Sequence, residues 1–298
     1  MKFLRSRRLL AATALAVTGA LALSGCSSGG GDPSSTSAGG SKYVVIPNEA
    51  VATFERNFNP FSGGLELTGQ AIYERMLIFN PADGTTTPWL ATEWEVADDA
   101  TSVTFHLREG VKWSDGEAFD AQDVVTTFKL AQELGGHEYL ESVEAVDDHT
   151  VTFTFNRPYS PGLWGTGEQI LVPDHIWADK PDWQSDTNET PVGTGPYTEV
   201  LSFQTQSYDL GPNPHYWQPD KQKIPGVRVV AIPGNDAVLL AAKNGDVDWP
   251  TQFFPNVEES FVASNPEHHH YWFPTVASTI MWQMNTTRAP SGCRQSRV

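Results

Sequence analysis

Cysteine is nearly absent from this 298-residue chain, which has two, Cys26 and Cys293. A disulfide-stapled framework is therefore excluded, and at most one bridge could form. Basic residues are scarce too: 19 Lys plus Arg stand against 36 Asp plus Glu, a net charge of −17. Such a surface repels phosphate, so nucleic acid and anionic lipid headgroups are excluded as partners. Catalytic signatures are missing as well. There is no Gly-x-Ser-x-Gly elbow and no His-Glu-x-x-His, and Gly193-Thr-Gly195 lacks both the third glycine and the lysine that a phosphate loop requires.

Long apolar runs are confined to the start of the chain. Lys2, Arg5, Arg7 and Arg8 precede an apolar stretch from Leu9 to Leu23, the layout of an export signal and too short for a spanning helix. The run ends at Leu23-Ser-Gly-Cys26. This resembles the lipobox of bacterial lipoproteins, which implies cleavage after residue 25 and a diacylglycerol on Cys26. A lipid of more than one chain supplies the anchoring that a single chain cannot. With residues 1–25 removed the net charge becomes −21. Residues 26–42 are rich in Ser, Gly, Thr and Ala and read as a flexible tether. If Cys26 is acylated, Cys293 has no partner within the chain.

What is present is aromatic: ten Trp, eight Tyr and 15 Phe. With 39% hydrophobic residues the chain is too apolar for general disorder. From Tyr43 the pattern is that of a mixed α+β protein. Tyr43-Val-Val-Ile46 reads as a short buried strand. Val103, Phe105 and Leu107 alternate with polar neighbours, as do Val151, Phe153 and Phe155, and 227–232 completes the set of strands. Asp120 followed by Asp123 marks a helix N-terminus, Val124, Phe128 and Ala131 share its apolar face, and Gly135-Gly136 stops it. A second helix runs from Asn235 to a stop at Lys243-Asn-Gly245. No internal repeat is evident.

Candidate chemistry is thin. Three adjacent histidines, His268 to His270, cannot all face one ion in an extended segment, so they read as a solvated loop and no metal is assigned. The acid pairs Asp98-Asp99, Asp147-Asp148 and Glu258-Glu259 sit at polar element edges and read as solvated charges. The remaining segments pair aromatics with amides, for example Asn57-Phe-Asn-Pro-Phe61, Tyr159 to Trp164, Tyr216-Trp217 and Tyr271-Trp272. Such residues stack on sugars or apolar side chains and satisfy polar rims, which is binding equipment without a reagent.

The order of motifs along the chain is more specific than any one of them. Asn57-Phe-Asn-Pro-Phe-Ser62, Ile72-Tyr-Glu74, Pro88-Trp-Leu-Ala-Thr92 and Thr104-Phe-His-Leu-Arg108 come first. Gly110-Val-Lys-Trp-Ser-Asp-Gly116 and Phe119-Asp-Ala-Gln-Asp-Val-Val125 follow. Pro191-Val-Gly-Thr-Gly-Pro-Tyr197, Asn213-Pro-His-Tyr-Trp217 and Asn244-Gly-Asp-Val-Asp-Trp249 complete the series. Together they resemble family 5 of the extracellular solute-binding proteins of ABC importers, over about residues 43–287.

The resemblance implies an α/β fold of mixed sheets, periplasmic-binding-protein-like and of class II, with the first lobe and only the start of the second. By analogy, lobe I has its main sheet at 43–85 and 190–265 and an inserted subdomain at 86–189, with 266–287 as the hinge and start of lobe II. It also implies that Trp113-Ser-Asp-Gly116 is a turn between strand and helix and that Gly193 to Tyr197 is a tight loop re-entering the sheet. The implied activity is non-enzymatic capture of an oligopeptide, handed to a membrane permease by an exported, lipid-anchored monomer without a cofactor. A cello- or manno-oligosaccharide is the alternative ligand within the family. An extracellular glycoside hydrolase and a lipid-anchored scaffold are the readings of other classes. Ligand-binding candidates are Asn57, Phe58, Asn59, Phe61, Tyr73, Trp164, Tyr197, Trp272 and Trp282; Trp113 and Trp217 read as structural. Family members continue past Asn285-Thr-Thr-Arg-Ala-Pro290 into a further helix, whereas residues 288–298 here keep no such pattern. The expectation is a frameshift or premature stop just after Pro290, with impaired capture.

Overall fold

The computed structural model describes residues 43–63, 66, 68–80, 83–250 and 254–271. The export signal, Cys26, the tether, Trp272, Trp282 and the 288–298 tail lie outside the described residues. Along the chain come β1 (Val44–Asn48), α1 (Gly69–Ile72), β2 (Leu77–Asn80), β3 (Thr85–Pro88), β4 (Ala91–Val96) and β5 (Ser102–Leu107). They are followed by α2 (Ala121–Glu133), β6 (Leu140–Asp147), β7 (Thr150–Phe155), α3 (Gly162–Gly167) and α4 (Asp174–Trp177). β8 (Tyr197–Gln204), β9 (Ser207–Pro212), β10 (Val227–Ala231), α5 (Asn235–Asn244) and α6 (Val257–Ser260) end the series.

The strands form two four-stranded sheets and one ribbon. The first sheet has the order β1-β10-β9-β8, with β1 parallel to β10 and the other pairs antiparallel. The second, β4-β5-β7-β6, is antiparallel throughout, and β2 and β3 pair as a ribbon. β1 is therefore built early in the chain but waits for β10, nearly two hundred residues later, for its only strand partner among the described residues. The expected buried strand at 43–46 is accordingly shifted and half-open: β1 lies at the edge of its sheet, and only Pro47 and Asn48 are fully buried.

The alternating strands follow from side-chain period. Val103, Phe105, Leu107, Val151, Phe153 and Phe155 all point into one core with Phe128 of α2, while Thr104 and Thr152 face the other side and share a hydroxyl–hydroxyl bond of 3.0 Å. α2 begins as its sequence dictates. Asp120 accepts from the Gln122 amide at 2.8 Å, and Asp123 accepts in return from the Asp120 amide at 2.9 Å, a reciprocal capping box. α5 ends at Gly245, whose φ of 75° is the left-handed conformation that glycine adopts without strain.

Among the described residues, three apolar clusters result. One lies between the second sheet and α2; one lies under the first sheet and gathers Phe58, Tyr73, Trp177, Trp183, Tyr197 and Tyr208; a small third packs α5 beside β1 and β10. Residues 72 to 77 pass from the second cluster to the first, since Ile72 and Tyr73 belong to one and Met76 and Leu77 to the other. Leu171 and Val172 make the same crossing, and Ile170 bridges Arg75. These two short segments are where the cores meet.

Candidate functional site

The Asn57-Phe-Asn-Pro-Phe61 segment forms a loop held from behind. Its amides do the holding. Asn57 accepts from the Asn59 amide at 3.0 Å, and Asn59 accepts from the Phe61 amide at 2.8 Å, successive turns of the kind asparagine makes with its own backbone. The Asn59 side-chain nitrogen, fully buried, donates to the carbonyls of Trp183 at 2.7 Å and Asp186 at 2.8 Å. The Phe58 amide donates to the Thr187 carbonyl at 2.8 Å. Tyr73 then donates its hydroxyl to the Phe58 carbonyl at 2.9 Å and receives a bond from the Asn188 amide group. Burial pushes the Tyr73 phenol well above its ordinary value, so it stays a neutral donor.

The consequence for the sequence-based candidates is uneven. Phe58, Asn59 and Tyr73 are fully enclosed, with Phe58 edge-on to Tyr208 and Phe203, and they shape the loop instead of facing solvent. Asn57 and Phe61 are half-buried, Phe61 against the same cluster, and Tyr197, buried, begins β8 there. Trp164 is elsewhere. It stands on α3, 56% exposed, on the side of the second sheet. The amides and aromatics of residues 57–61, Tyr73 and Tyr197 are thus brought together, and Trp164 is not. Trp113 and Trp217 are structural: Trp113 is buried with its indole on Asp123 at 3.0 Å, and Trp217 donates to Glu74 at 3.0 Å.

Sequence reasoning missed the partners of the loop. Phe61 is wedged between Trp177 and Trp183, with ring centroids 5.5 and 5.2 Å away. Lys180 lies over Trp177 at 4.7 Å and pairs with Asp186 at 2.9 Å. Asn188 sits at a φ of 46°, a conformation asparagine tolerates better than most residues. Beside this layer, α4 and residues 178–181 border an open depression of about 430 Å³, lined by both signs of charge from Asp174, Asp179 and Lys180. The His268–His270 segment is a loop in which His269 stacks on Phe261 at 4.2 Å while His268 and His270 are exposed. Asp98, Asp99, Asp147, Asp148, Glu258 and Glu259 are all exposed. Among the described residues no group of three His, Cys, Asp or Glu could hold a metal ion, and no helix is long and apolar enough to cross a membrane.

The remaining motifs converge on the crossing point between the cores. Gly193 and Gly195 press on the backbone of residues 71 and 72: an added Cβ on Gly193 would stand 1.9 Å from the Ile72 carbonyl oxygen. The Gly195 amide donates to that carbonyl at 2.9 Å, and Asn213 donates to the Gly195 carbonyl at 2.9 Å. Ser114, in the turn closed by Gly116 and Trp113, donates its amide to Gly193 at 3.0 Å. Segments far apart in sequence thus share one seam. The Gly193 to Tyr197 loop does re-enter the first sheet, and Trp113 to Gly116 does turn between β5 and α2.

One mixed and one antiparallel sheet, the ordered motifs and this seam place the chain among known proteins. The model of the bacterial extracellular solute-binding proteins, family 5, matches residues 85–295, and the chain belongs to that family. It is similar to the nickel-binding periplasmic protein of Escherichia coli, with 26% identity over 84% of this chain and 50% of the relative. It is also similar to the oligopeptide-binding protein OppA of Bacillus subtilis, with 25% identity over 85% of this chain and 53% of the relative. Among solved structures, a periplasmic oligopeptide-binding protein of Thermotoga maritima with bound mannohexaose superposes with a TM-score of 0.66 at 26% identity, over 75% of this chain and 44% of that one. The fold is therefore periplasmic-binding-protein-like, and the chain spans about half the length of these relatives.

Proposed function

We propose that this chain is the solute-capturing lipoprotein of an ABC importer, taking up oligopeptides and passing them to a membrane permease. Its membership of the solute-binding family carries the reading, supported by the likeness to a protein named for oligopeptide binding. Export through residues 1–25, anchoring through the lipid on Cys26, a Ser/Gly tether and an acidic monomeric body suit work at the outer face of the membrane. In this reading residues 43–85 and 190–265 form the main sheet of the first lobe, 86–189 its inserted subdomain, and 266–287 the start of the second lobe. The membership of the strands in two sheets supports that division. The ligand face in this reading includes Asn57 and Phe61 on the loop; Trp272 and Trp282, also candidates, lie outside the described residues.

An oligosaccharide is the second reading, favoured by the mannohexaose in the Thermotoga structure and by the exposed indole of Trp164, which could stack on a sugar face. The experiment is a thermal-shift and calorimetric comparison of di- to hexapeptides with manno- and cello-oligosaccharides. Binding of peptides alone supports the proposal. Binding of sugars alone, lost in Trp164→Ala, replaces it with the second reading.

A further inference from the structure

The loop at residues 57–61 is held by a segment far along the chain. Residues 182–189 form a strap after α4, in the stretch read as the inserted subdomain, and they receive the loop through backbone carbonyls. The Arg56 guanidinium donates to the Glu189 carbonyl at 2.9 Å, the Phe58 amide to that of Thr187 at 2.8 Å, and the Asn59 side chain to those of Trp183 at 2.7 Å and Asp186 at 2.8 Å. The donors lie within residues 56–59, and all four acceptors are main-chain oxygens. A side chain swings to meet its partner, but a carbonyl points where the φ and ψ of its own segment send it. The shape of the strap therefore sets where the loop sits.

That shape is an uncommon one. Two non-glycine residues of the strap, Asp182 with a φ of 52° and Asn188 with a φ of 46°, are left-handed. Asn188 stands between the Thr187 and Glu189 carbonyls, so their relative direction turns on its φ. Were it to move to the ordinary right-handed or extended region, one of the two would leave its donor. Asn188 is tied at both ends. Its backbone N–H donates to the Asp186 carboxylate at 2.6 Å, and its side chain donates to the Tyr73 hydroxyl and, at 3.4 Å, to the Phe58 carbonyl. Asp186 in turn pairs with Lys180 at 2.9 Å. At 8% exposure Asn188 is enclosed, and it closes the circuit from the strap back to the loop.

We propose that the 182–189 strap positions the ligand loop, and that Asn188 is its positioning residue, acting through its left-handed backbone. This rests on the reading of Asn57 and Phe61 as ligand-facing. Asn188 holds Phe58 and Asn59, and through them the flanking Asn57 and Phe61, in one arrangement before a ligand arrives. Ordering of the loop then does not subtract from binding. What the loop accepts is thereby set in part by a segment over a hundred residues further along the chain.

The test compares Asn188→Gly with Asn188→Ala in the full chain. Both lack the side-chain amide, so a role confined to that amide predicts the same behaviour for the two. They differ in backbone, since glycine adopts this left-handed conformation freely and alanine does not. The Phe58 amide proton, bonded to the strap, and the Phe61 ring protons, between Trp177 and Trp183, report the position of the loop by NMR without any ligand. In Asn188→Gly both should keep the shifts of the unsubstituted chain. In Asn188→Ala both should move towards those of an unstructured chain, and the Phe58 amide should exchange about tenfold faster than in Asn188→Gly. Affinity for tetra-alanine, by calorimetry, should be about threefold weaker in Asn188→Ala than in Asn188→Gly, as the fraction of chains with a competent loop falls. Loop signals that are the same in the two variants overturn the positioning role, and so do unequal signals with equal affinity. If the unsubstituted chain binds no tetra-alanine, the peptide reading fails, and the loop signals alone decide the strap. Should Asn188→Ala not fold, Lys180→Gln decides: with Asp186 freed, Phe58 exchange should be about twofold faster, and an unchanged rate overturns the proposal.

Discussion

One buried hydroxyl adds to the amide bonds that hold the candidate binding loop. Tyr73 donates to the Phe58 carbonyl and accepts from Asn188, and all three groups are enclosed. Removing it leaves the buried Phe58 carbonyl and Asn188 amide with only their long mutual bond of 3.4 Å, which costs more than losing a surface bond. Tyr73→Phe is expected to lower stability by about 2 kcal/mol in urea titrations, with no change in the slope. Gly193 is constrained in the opposite sense, by space. Gly193→Ala sets a methyl against the Ile72 carbonyl, backbone against backbone, so the seam must open. It should fail to give a cooperative urea transition or show one at markedly lower denaturant, and retention of the parental midpoint would contradict the packing. Neither role is written in the residue itself. The sequence marks the Asn-Phe-Asn-Pro-Phe loop as aromatic and amide-rich, the chemistry of a ligand site, but the same chemistry seals a buried turn. Only the partners, Trp183, Asp186 and Asn188, which lie over a hundred residues away, tell the two apart.

At the scale of elements, what was legible was what is local. α2 was visible because its cap, apolar face and glycine stop lie within one short stretch, and α5 because Gly245 supplies the left-handed stop. The alternating strands β5 and β7 were visible because one face of their sheet is buried and the other is not. β1 was less so, since edge position is a property of the sheet and not of the strand. The short helices α3 and α4 carry no amphipathic period and were not anticipated. The α2 cap also does more than end a helix: Asp123 accepts from the Trp113 indole and, at 2.7 Å, from the Asp174 amide, so it joins the turn before α2 to the start of α4. Asp120→Ala should therefore cost about 1 kcal/mol, the ordinary loss of a cap. Asp123→Ala should cost about 3 kcal/mol or more, because it strips a buried indole and two backbone amides of their acceptor at once. Equal losses in the two variants, read from denaturant midpoints, would show that the bonds to Trp113 and Asp174 contribute little.

Across the whole molecule, burial of acids sets a stability profile that composition alone does not specify. Glu66 and Glu74 are pushed up to about 7 and Asp123 to about 6, each chiefly by desolvation. A carboxyl raised in the folded state binds its proton more tightly there than in the unfolded chain. Its contribution is fully present below the ordinary carboxylate range and is lost as pH rises through the folded value. Asp209 and Asp186 act the other way. The Arg228 guanidinium and the Lys180 ammonium beside them hold their carboxyls low, so their contribution is present at neutral pH and is lost only as pH falls below the ordinary range. The two sets leave a maximum near pH 5, with a decline towards pH 8. Net charge pulls in the same direction, since −17 of self-repulsion also grows as acids ionise, and salt separates the causes. Repulsion between exposed charges is screened at about 0.5 M salt, whereas the desolvation of enclosed carboxyls is not. Urea midpoints should accordingly be higher at pH 5 than at pH 8, and most of that difference should survive in high salt. Glu74→Gln should flatten part of the surviving difference by removing one of the three groups. If high salt erases the difference entirely, surface repulsion accounts for the profile and the buried acids do not.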